Sequence, residues 1–224
     1  MHHIDILIPS RGRIKKLDRL LDSIPGQVFG TKIYIHVMID GDWDTYNFFR
    51  NDDRLILRMF EGHHGSVYLR NFEAGLCDDA IIWAVDDMVF KPGALESAVR
   101  EMRSHFFDGD GVIGFTQEGG GKPHPTGVGM MGQKFLQRYP DKKPFFPGYF
   151  LFSCQEILWL CDKVKEKEGK ECFYLDPKAI IIHKHPCYNP EEMDKTHEEG
   201  RVRKADDMAL IKQRKAKGLI WGDQ

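Results

Sequence analysis

The first half of the chain alternates between short apolar runs and segments in which apolar residues recur every three or four positions. The short runs are rich in isoleucine, valine and leucine, which is typical of buried strands, whereas the longer spacing is typical of amphipathic helices. The predicted strands are residues 3–10, 32–40, 54–60 and 80–90, and the predicted helices are residues 14–24, 44–53, 66–77 and 93–106. This alternation predicts an α/β fold with a mostly parallel central sheet and helices on both faces.

The second half is less regular. It contains a predicted strand at 111–117, a glycine-rich loop at 118–132, a helix at 155–167 and a strand at 178–186. A charged tail begins at residue 189 and includes a predicted helix at 204–218. We therefore expect a single domain over residues 1–188, with halves at 1–107 and 108–188, and a charged, partly helical extension over 189–224.

Polar residues cluster where the predicted strands end. Ligands of open parallel sheets bind beyond the carboxyl ends of the strands, so these residues are the candidates for chemistry. After the first, second and fourth strands they are Ser10, Arg11, Gly12 and Arg13; Asp40, Gly41 and Asp42; and Asp86 and Asp87. The sequence therefore predicts one functional edge of the sheet.

Two adjacent aspartates, Asp86 and Asp87, follow the apolar run at 80–85. A buried carboxylate pair is unfavourable unless a positive charge lies beside it. One interpretation is a solvated turn in which an aspartate caps the next segment. The other is a hard-cation site, because Mg²⁺ and Mn²⁺ favour carboxylate oxygens and keep open positions for phosphate.

His183 and His185 end the strand at 178–186 and point to the same face, because side chains alternate along a strand. The simpler alternative is one buried histidine with a backbone partner and one exposed histidine. If an imidazole joins carboxylates around a cation, the mixed donors favour Mn²⁺ over Ca²⁺.

Arg11 and Arg13 could bind phosphate, or they could lie in an exposed basic turn. Arg11 and Arg13 flank a glycine just before a helix, where backbone amides and guanidinium groups suit an anion. Arg70, in the helix at 66–77, could lie near a bound ligand or simply on the surface. The P-S-R-G-R stretch lacks both the G-x-G-x-x-G and the P-loop patterns, so neither of those nucleotide sites is indicated.

Composition narrows the binding partners and the cellular compartment that we expect for the protein. The formal charge of −2, from 32 basic and 34 acidic side chains, argues against coating of nucleic acid by charge alone. The five cysteines show no C-x-x-C spacing, which favours a reducing compartment over a disulfide framework or a zinc ribbon. The sequence shows no signal peptide and no apolar run long enough to span a bilayer, so we expect a cytoplasmic protein.

Several motifs together resemble GT-A glycosyltransferases of the family 2 type. The segment I-L-I-P-S-R-G-R-I-K-K-L-D-R-L-L-D-S-I resembles the opening strand and helix of that family. Residues that match in place are Pro9, Ser10, Arg13, Leu17, Leu20, Leu21, Ser23 and Ile24. The family's base-contacting strand end resembles M-I-D-G-D, and its A-R-N segment resembles G-S-V-Y-L-R-N. Its D-x-D metal motif resembles A-V-D-D-M-V-F-K-P-G-A-L, and its late metal histidine resembles H-K-H-P. The resemblance covers most of residues 4–107 and rests on the order and spacing of the motifs.

The resemblance implies a Rossmann-like GT-A domain, with a nucleotide-binding half at 1–107 and an acceptor-side half at 108–188. It implies transfer of a sugar from a nucleotide-sugar donor, with UDP-sugars favoured because they are commonest in the family. A divalent metal, Mn²⁺ or Mg²⁺, would bridge the donor phosphates. The implied donor-binding residues are Pro9, Ser10, Arg11, Arg13, Asp40, Arg70 and Asp86. The implied metal ligands are Asp86, Asp87, His183 and His185.

The sequence departs from the family pattern at the metal motif and at the base. Met88 stands where the last aspartate falls if Asp86 begins the D-x-D, so either Asp86 begins a shortened motif or Asp87 is the ligand. Glu156 matches the second acid of a frequent acidic pair, and Cys154 replaces the first. The resemblance makes Glu156 the predicted general base of an inverting transfer. The alternative is that Glu156 only favours the first turn of its helix.

Two other functions fit the same features. One is a nucleotidyltransferase on a similar α/β scaffold, and the other is a catalytically inactive nucleotide-binding module, which the D-D-M departure would favour. The acceptor could be a glycan, a protein, a lipid or a modified nucleic-acid base. We expect the glycine-rich loop and the C-terminal segment to hold it.

Overall fold

The computed structural model of the chain describes residues 1–118, 127–151, 154–187 and 189–223. Most of the predicted glycine-rich loop falls outside these ranges. The strands are β1 (His3–Ser10), β2 (Gln27–Val28), β3 (Thr31–Asp40), β4 (Leu55–Phe60), β5 (Ala80–Trp83), β6 (Met88–Phe90), β7 (Val112–Glu118), β8 (Gly129–Met131) and β9 (Phe173–His183). The helices are α1 (Ile14–Leu21), α2 (Trp43–Phe49), α3 (Ser66–Leu76), α4 (Ala94–His105), α5 (Gln133–Leu136), α6 (Cys154–Glu168) and α7 (Lys195–Ala216), with 3-10 turns at Pro140–Lys142 and Pro190–Glu192.

The strands form one mixed sheet in the order β2-β3-β1-β5-β8-β7-β9-β6, with β4 also paired to β3. The pairs β1–β3, β1–β5 and β3–β4 are parallel, as predicted for the first half. In the second half, β8 runs antiparallel to β5 and β7, and β6 runs antiparallel to β9, while β7 and β9 are parallel. The predicted α/β fold is confirmed, with the parallel pairs concentrated in the first half of the chain.

Apolar cores lie on both faces of the sheet. Ile6 of β1 packs with Leu20 of α1 and Val99 of α4 on one face. Leu7 of β1 packs with Leu69 of α3 on the other, in a core that also includes α6 residues. Burial of each such side chain contributes about 1.5–3 kcal/mol, so the two cores fix the strand ends that carry the polar residues.

The structure corrects the strand predicted at 80–90. That segment forms two strands, β5 and β6, and Asp86 and Asp87 lie in the turn between them. After the turn, the chain leaves the β1–β5 part of the sheet, and Met88 pairs with His183 of β9. The aspartates therefore lie where the chain crosses between two parts of the sheet, which brings β9 to them.

The C-terminal helix is longer than predicted, because α7 begins at Lys195 rather than at residue 204. Asp194 caps it by accepting a hydrogen bond from the backbone N–H of His197, at 2.9 Å. The helix is pinned to the rest of the chain, since Asp207 accepts hydrogen bonds from the backbone N–H groups of Phe150 and Leu151. The domain boundary at residue 188 stays a prediction. No helix in the described ranges has both the length and the apolar character needed to cross a membrane.

Candidate functional site

A cavity of about 640 Å³ opens at the carboxyl ends of β1, β3 and β5. Its walls come from the loops that follow these strands, from the start of α3, from the end of β9 and from the first turns of α7. The predicted site residues in its lining are Pro9, Ser10, Arg11, Arg13, Asp40, Arg70, Asp86, Asp87, His183 and His185. The fold thus brings together predicted site residues that are up to 176 positions apart in the sequence. Glu156 is the predicted site residue that does not line the cavity.

Asp86 is buried and held by two donors from the loop after β1. The Ser10 hydroxyl donates to one carboxylate oxygen at 2.7 Å, and Arg13 Nη1 donates to the other at 2.8 Å. Burial raises the pKa of Asp86, the Arg13 charge opposes this shift, and the neighbouring Asp87 adds to it. Asp86 therefore has both oxygens engaged by protein donors.

Asp87 is also buried, but its oxygens face two imidazoles. His183 Nε2 lies 3.1 Å from Oδ1, and His197 Nε2 lies 2.9 Å from Oδ2. Burial alone would raise the pKa of Asp87, but the hydrogen bonds from both histidines hold it well below its usual range. Asp87 is therefore an ionised carboxylate that joins β9 to α7.

His197 was missed by the sequence analysis. It lies in the first turn of α7, and Asp194 Oδ1 lies 2.9 Å from its Nδ1. Asp194 as a helix cap, followed by the acidic residue Glu198 in the first turn, is a helix-start signal that would have moved the helix start to residue 195. No local signal places this turn beside Asp87, because that contact spans 110 residues.

His185 lies between the other two histidines. Its ring centroid is 5.3 Å from that of His183 and 5.1 Å from that of His197. Its Nδ1 accepts a hydrogen bond from the backbone N–H of Cys187 at 3.1 Å. Burial and the neighbouring His183 lower its pKa to about 4, so this imidazole is neutral around pH 7.

Arg13 connects the aspartates to the C-terminal segment. Its guanidinium lies 2.8 Å from Asp86, 3.9 Å from Asp87 and 3.0 Å from Asp194. Burial lowers the pKa of Arg13, but these carboxylates outweigh it and raise the pKa overall. Lys16 Nζ also lies 2.6 Å from Asp194, so two cations fix the residue that caps α7.

Arg70 is a buried cation whose guanidinium has few hydrogen-bond acceptors around it. Its side chain lines the cavity at 3% exposure, and Nη2 donates to the backbone oxygen of Ala84 at 2.6 Å. In the described part of the chain, Nε has no hydrogen-bond partner and no carboxylate lies within 4.0 Å of the guanidinium. Burial lowers the pKa of Arg70. An anion in the cavity would supply the charge and the acceptor that this guanidinium lacks.

Asp40 lines the cavity but uses both oxygens to hold the loop before α3. They accept hydrogen bonds from the backbone N–H groups of His64 at 2.8 Å and Gly65 at 3.1 Å. Gly65 has φ +84°, and a Cβ there would lie 2.6 Å from the backbone oxygen of Phe150. Only glycine fits, so this loop is built for a close approach of two backbones, and contact of Asp40 with a nucleotide stays a prediction.

Glu156 is fully engaged elsewhere. Arg214 Nε and Nη2 donate to its two oxygens at 2.6 and 2.9 Å, and the Tyr149 hydroxyl and the Trp221 backbone N–H each donate at 2.6 Å. The carboxylate is 1% exposed and ties α6 to α7. The prediction of Glu156 as general base gains no support from this geometry, because four donors already engage its two oxygens and Glu156 does not line the cavity.

The side chains around Asp87 are of types that bind divalent cations. Asp87, His183 and His197 offer one carboxylate and two imidazoles, a donor set that suits Mn²⁺. Asp194 Oδ1 lies 2.9 Å from Nδ1 of His197, but this nitrogen makes no hydrogen bond among the described residues. A bound cation would take the place of the imidazole protons that now point at Asp87.

The fold resembles those of several solved glycosyltransferase structures. Mannosyltransferase PcManGT from Pyrobaculum calidifontis, determined with GDP-Man and Mn²⁺, shows 11% identity and a TM-score of 0.68 over 96% of this chain and 64% of that chain. Glucosyl-3-phosphoglycerate synthase from Mycobacterium tuberculosis, determined with Mn²⁺, UDP and phosphoglyceric acid, shows 13% identity and a TM-score of 0.63 over 91% of this chain and 75% of that chain. S. aureus TarS with UDP-GlcNAc shows 12% identity and a TM-score of 0.56, over 80% of this chain and 58% of that chain.

No protein-family model and no curated protein matches the sequence. The chain spans about two thirds of the length of the mannosyltransferase that it resembles. At 11–14% identity, these comparisons establish the architecture. The chain therefore has the GT-A fold that its motifs predicted.

Proposed function

We propose that the protein is a metal-dependent glycosyltransferase that takes a sugar from a nucleotide-sugar donor. The observation that carries the proposal is the meeting of Asp87, His183 and His197 beside Arg70. An ionised carboxylate with two imidazoles suits a divalent cation, and a buried guanidinium without a carboxylate suits a phosphate. Both lie at the strand ends where α/β sheets bind ligands.

In this proposal Asp87, His183 and His197 hold Mn²⁺ or Mg²⁺. The bound cation would neutralise charge on the departing nucleoside diphosphate. His197 takes the ligand position that the resemblance gave to His185, because its Nε2 lies 2.9 Å from Asp87. Asp86 acts mainly as a positioning residue, because Ser10 and Arg13 already engage its oxygens.

Arg70 contributes a hydrogen-bond donor and a positive charge to the donor diphosphate. Arg11, Pro9 and Asp40 also line the cavity. In this proposal Arg11 serves the diphosphate, and Pro9 and Asp40 serve the base. A UDP-sugar is the first choice, on the family resemblance and on the UDP complexes of two of the related folds. GDP is the second choice, because the mannosyltransferase of similar fold was determined with GDP-Man.

The proposal assigns no general base. The carboxylates in the described lining are Asp40, Asp86 and Asp87, and each is engaged as set out above. Glu156 is not carried forward, because Arg214, Tyr149 and Trp221 occupy its oxygens. Inverting stereochemistry stays a prediction of the family resemblance.

The proposal is tested by calorimetry of UDP, GDP and UDP-GlcNAc binding, with and without Mn²⁺. We expect Mn²⁺-dependent binding that Asp87→Asn weakens at least about 100-fold, because the variant removes the ionised ligand of the cation. Asp53→Asn, at an exposed position, is the matched control and should bind as the wild type does. Unchanged Mn²⁺-dependent affinity in Asp87→Asn would remove this residue from the metal site.

Two outcomes would favour the other functions. Preferential binding of a nucleoside triphosphate, with exchange of pyrophosphate, would indicate a nucleotidyltransferase. Mn²⁺-dependent nucleotide binding without hydrolysis or transfer of any donor sugar would indicate a binding module that has lost its chemistry.

A further inference from the structure

A second buried polar cluster lies in the core between the sheet and α3, away from the cavity. It consists of Asp5 on β1, His36 on β3, Glu73 on α3 and Cys77 just after α3. None of the four is more than 7% exposed, and apolar side chains such as Leu69 surround them. Buried ionisable groups in an otherwise apolar core are unfavourable without compensation, so the cluster requires a physical explanation.

His36 is the centre of this cluster. Its Nε2 lies 2.7 Å from Asp5 Oδ1, and its Nδ1 lies 2.7 Å from Glu73 Oε1. One donor atom each from Asp5, His36 and Cys77 lies within 4.8 Å of the other two. The other oxygen of Asp5, Oδ2, has no hydrogen-bond partner among the described residues, and His3 Nε2 lies 3.2 Å from it.

These donors have the chemistry of a zinc site. A thiol, an imidazole and a carboxylate are the three ligand types that Zn²⁺ uses in proteins. Glu73 holds the second nitrogen of His36, which is the arrangement that orients metal-binding histidines. Arg58 Nε donates to the other oxygen of Glu73 at 2.8 Å, so the outer carboxylate is itself compensated.

We propose that Asp5, His36 and Cys77 bind a Zn²⁺ ion, with His3 as the fourth ligand. The site ties β1, β3 and the C-terminal end of α3 together. Because α3 begins at the cavity and carries Arg70, the ion would also fix the position of that arginine. The site is independent of the proposed donor site, since the two share no residue.

The movement needed is small. The oxygen of Asp5 and the nitrogen of His36 are now separated by a hydrogen-bond distance of 2.7 Å. Two ligands at about 2.0–2.1 Å from a tetrahedral ion would be about 3.3 Å apart. The His3 side chain is partly exposed, at 29%, so it can adjust to complete the coordination.

Zinc would replace protons on its ligands. Without metal, burial lowers the pKa of His36, but its hydrogen bonds to Asp5 and Glu73 outweigh this and raise it. Burial also raises the pKa of Cys77, so its thiol is protonated. Zn²⁺ would take the place of the proton on Cys77 Sγ and of any proton on His36 Nε2, because thiolate and neutral imidazole are the forms that bind a metal.

Zinc affinity should rise with pH, because a thiol must lose its proton to bind a metal. If both protons leave, the apparent affinity increases by up to about 100-fold per pH unit, below the pKa values of both ligands. The charged and titratable groups that face the site from the surrounding elements are His3, Asp5, Arg58, Glu73, Asp79 and Lys142.

The test uses Co²⁺ and Zn²⁺ on protein stripped with a chelator, in an Asp87→Asn background that disables the other proposed metal site. We expect one equivalent of Co²⁺ to produce a thiolate-to-cobalt absorption band. Cys77→Ser should abolish the band, whereas Cys187→Ser, which changes an exposed free cysteine at the cavity, should retain it. Zn²⁺ should displace Co²⁺. It should raise the Tm of the Asp87→Asn protein but not that of the Asp87→Asn/Cys77→Ser protein.

Calorimetry in two buffers of different ionisation enthalpy provides a second measurement that needs no cysteine variant. We expect release of at least one proton per Zn²⁺, because the Cys77 thiol must lose its proton to bind the metal. Absence of a thiolate band at stoichiometric Co²⁺, or a band that survives Cys77→Ser, would overturn the site. Release of no protons would overturn it even if the cysteine variant failed to fold. None of these results depends on whether the protein transfers sugars.

Discussion

Asp87 and Glu156 are both buried carboxylates, yet their surroundings differ in kind. Glu156 accepts from a guanidinium, a phenol and a backbone N–H, and every donor belongs to a group that keeps its proton around pH 7. Asp87 accepts from two imidazoles, His183 and His197, beside an open cavity. Imidazoles can exchange a proton for a metal ion and guanidinium groups cannot. Burial beside a positive group therefore does not by itself identify a functional carboxylate.

The comparison is tested most strongly by Glu156→Gln. Loss of the negative charge leaves Arg214 buried against the Phe146 ring without its partner. Breaking a buried ion pair in this way costs roughly 3 kcal/mol in unfolding free energy, or about 6–12 °C in Tm for a chain of this size. Mn²⁺-dependent nucleotide affinity of the folded variant should stay close to that of the wild type.

The matched control is the double variant Glu156→Gln/Arg214→Gln, which leaves no unpaired charge. It should recover part of the lost stability in urea denaturation. A single variant that is as stable as the wild type but inactive in sugar transfer would place Glu156 at the reacting centre, as the family resemblance predicted.

Glu156 also shows which features the sequence predicts and which it does not. The helix at 155–167 was predicted from its periodicity, and α6 covers it at Cys154–Glu168. The partner of Glu156 is Arg214, 58 residues away, and no local pattern encodes such a contact. Local periodicity predicted the elements, and the rule for strand ends predicted the cavity walls. Which polar side chains satisfy each other depends on packing between distant segments.

The same limit explains the errors around Asp86 and Asp87. Their position at one functional edge was predicted, because carboxyl ends of parallel strands meet there. The turn that separates β5 from β6 was not, since residues 80–90 read as one apolar strand. Antiparallel pairing of Met88 with His183 depends on β9, which lies nearly a hundred residues later. His197 was missed for a related reason, because its helix start was placed at 204.

The next largest effect is expected on Mn²⁺-dependent nucleotide binding, when His197 and His185 are each replaced by alanine. We expect His197→Ala to weaken Mn²⁺-dependent UDP or GDP binding by roughly 10–100-fold, since the variant removes an imidazole that contacts Asp87 in the proposed metal site. His185→Ala should have a smaller effect, because in the structure its Nδ1 is engaged by Cys187. Titration of Mn²⁺ at fixed nucleotide separates metal affinity from nucleotide affinity. The reverse order of the two variants would restore the ligand set that the resemblance implied.

The smallest expected effect concerns a third buried carboxylate, Asp110, which belongs with Glu156 rather than with Asp87. Arg138 donates to its two oxygens at 2.9 and 2.7 Å, and Lys170 donates at 2.8 Å. Burial would raise the pKa of Asp110, but these cations outweigh it and hold the pKa below its ordinary value of 3.8. No imidazole is among these donors, so the comparison predicts a structural role without metal dependence.

The sign of the pH effect follows from that shift. Because the folded-state pKa is lowered, Asp110 contributes stability that is present above its unfolded-state pKa and lost as pH falls through its folded-state pKa. Urea denaturation from about pH 7 to about pH 3 should show this loss at the acid end, and Asp110→Asn should show a shallower decline. Asp53→Asn, an exposed aspartate, should follow the wild-type curve. Added Mn²⁺ should not change the difference between the Asp110 variant and the wild type. A difference that depends on Mn²⁺ would mean that donor type does not separate structural from functional carboxylates in this fold.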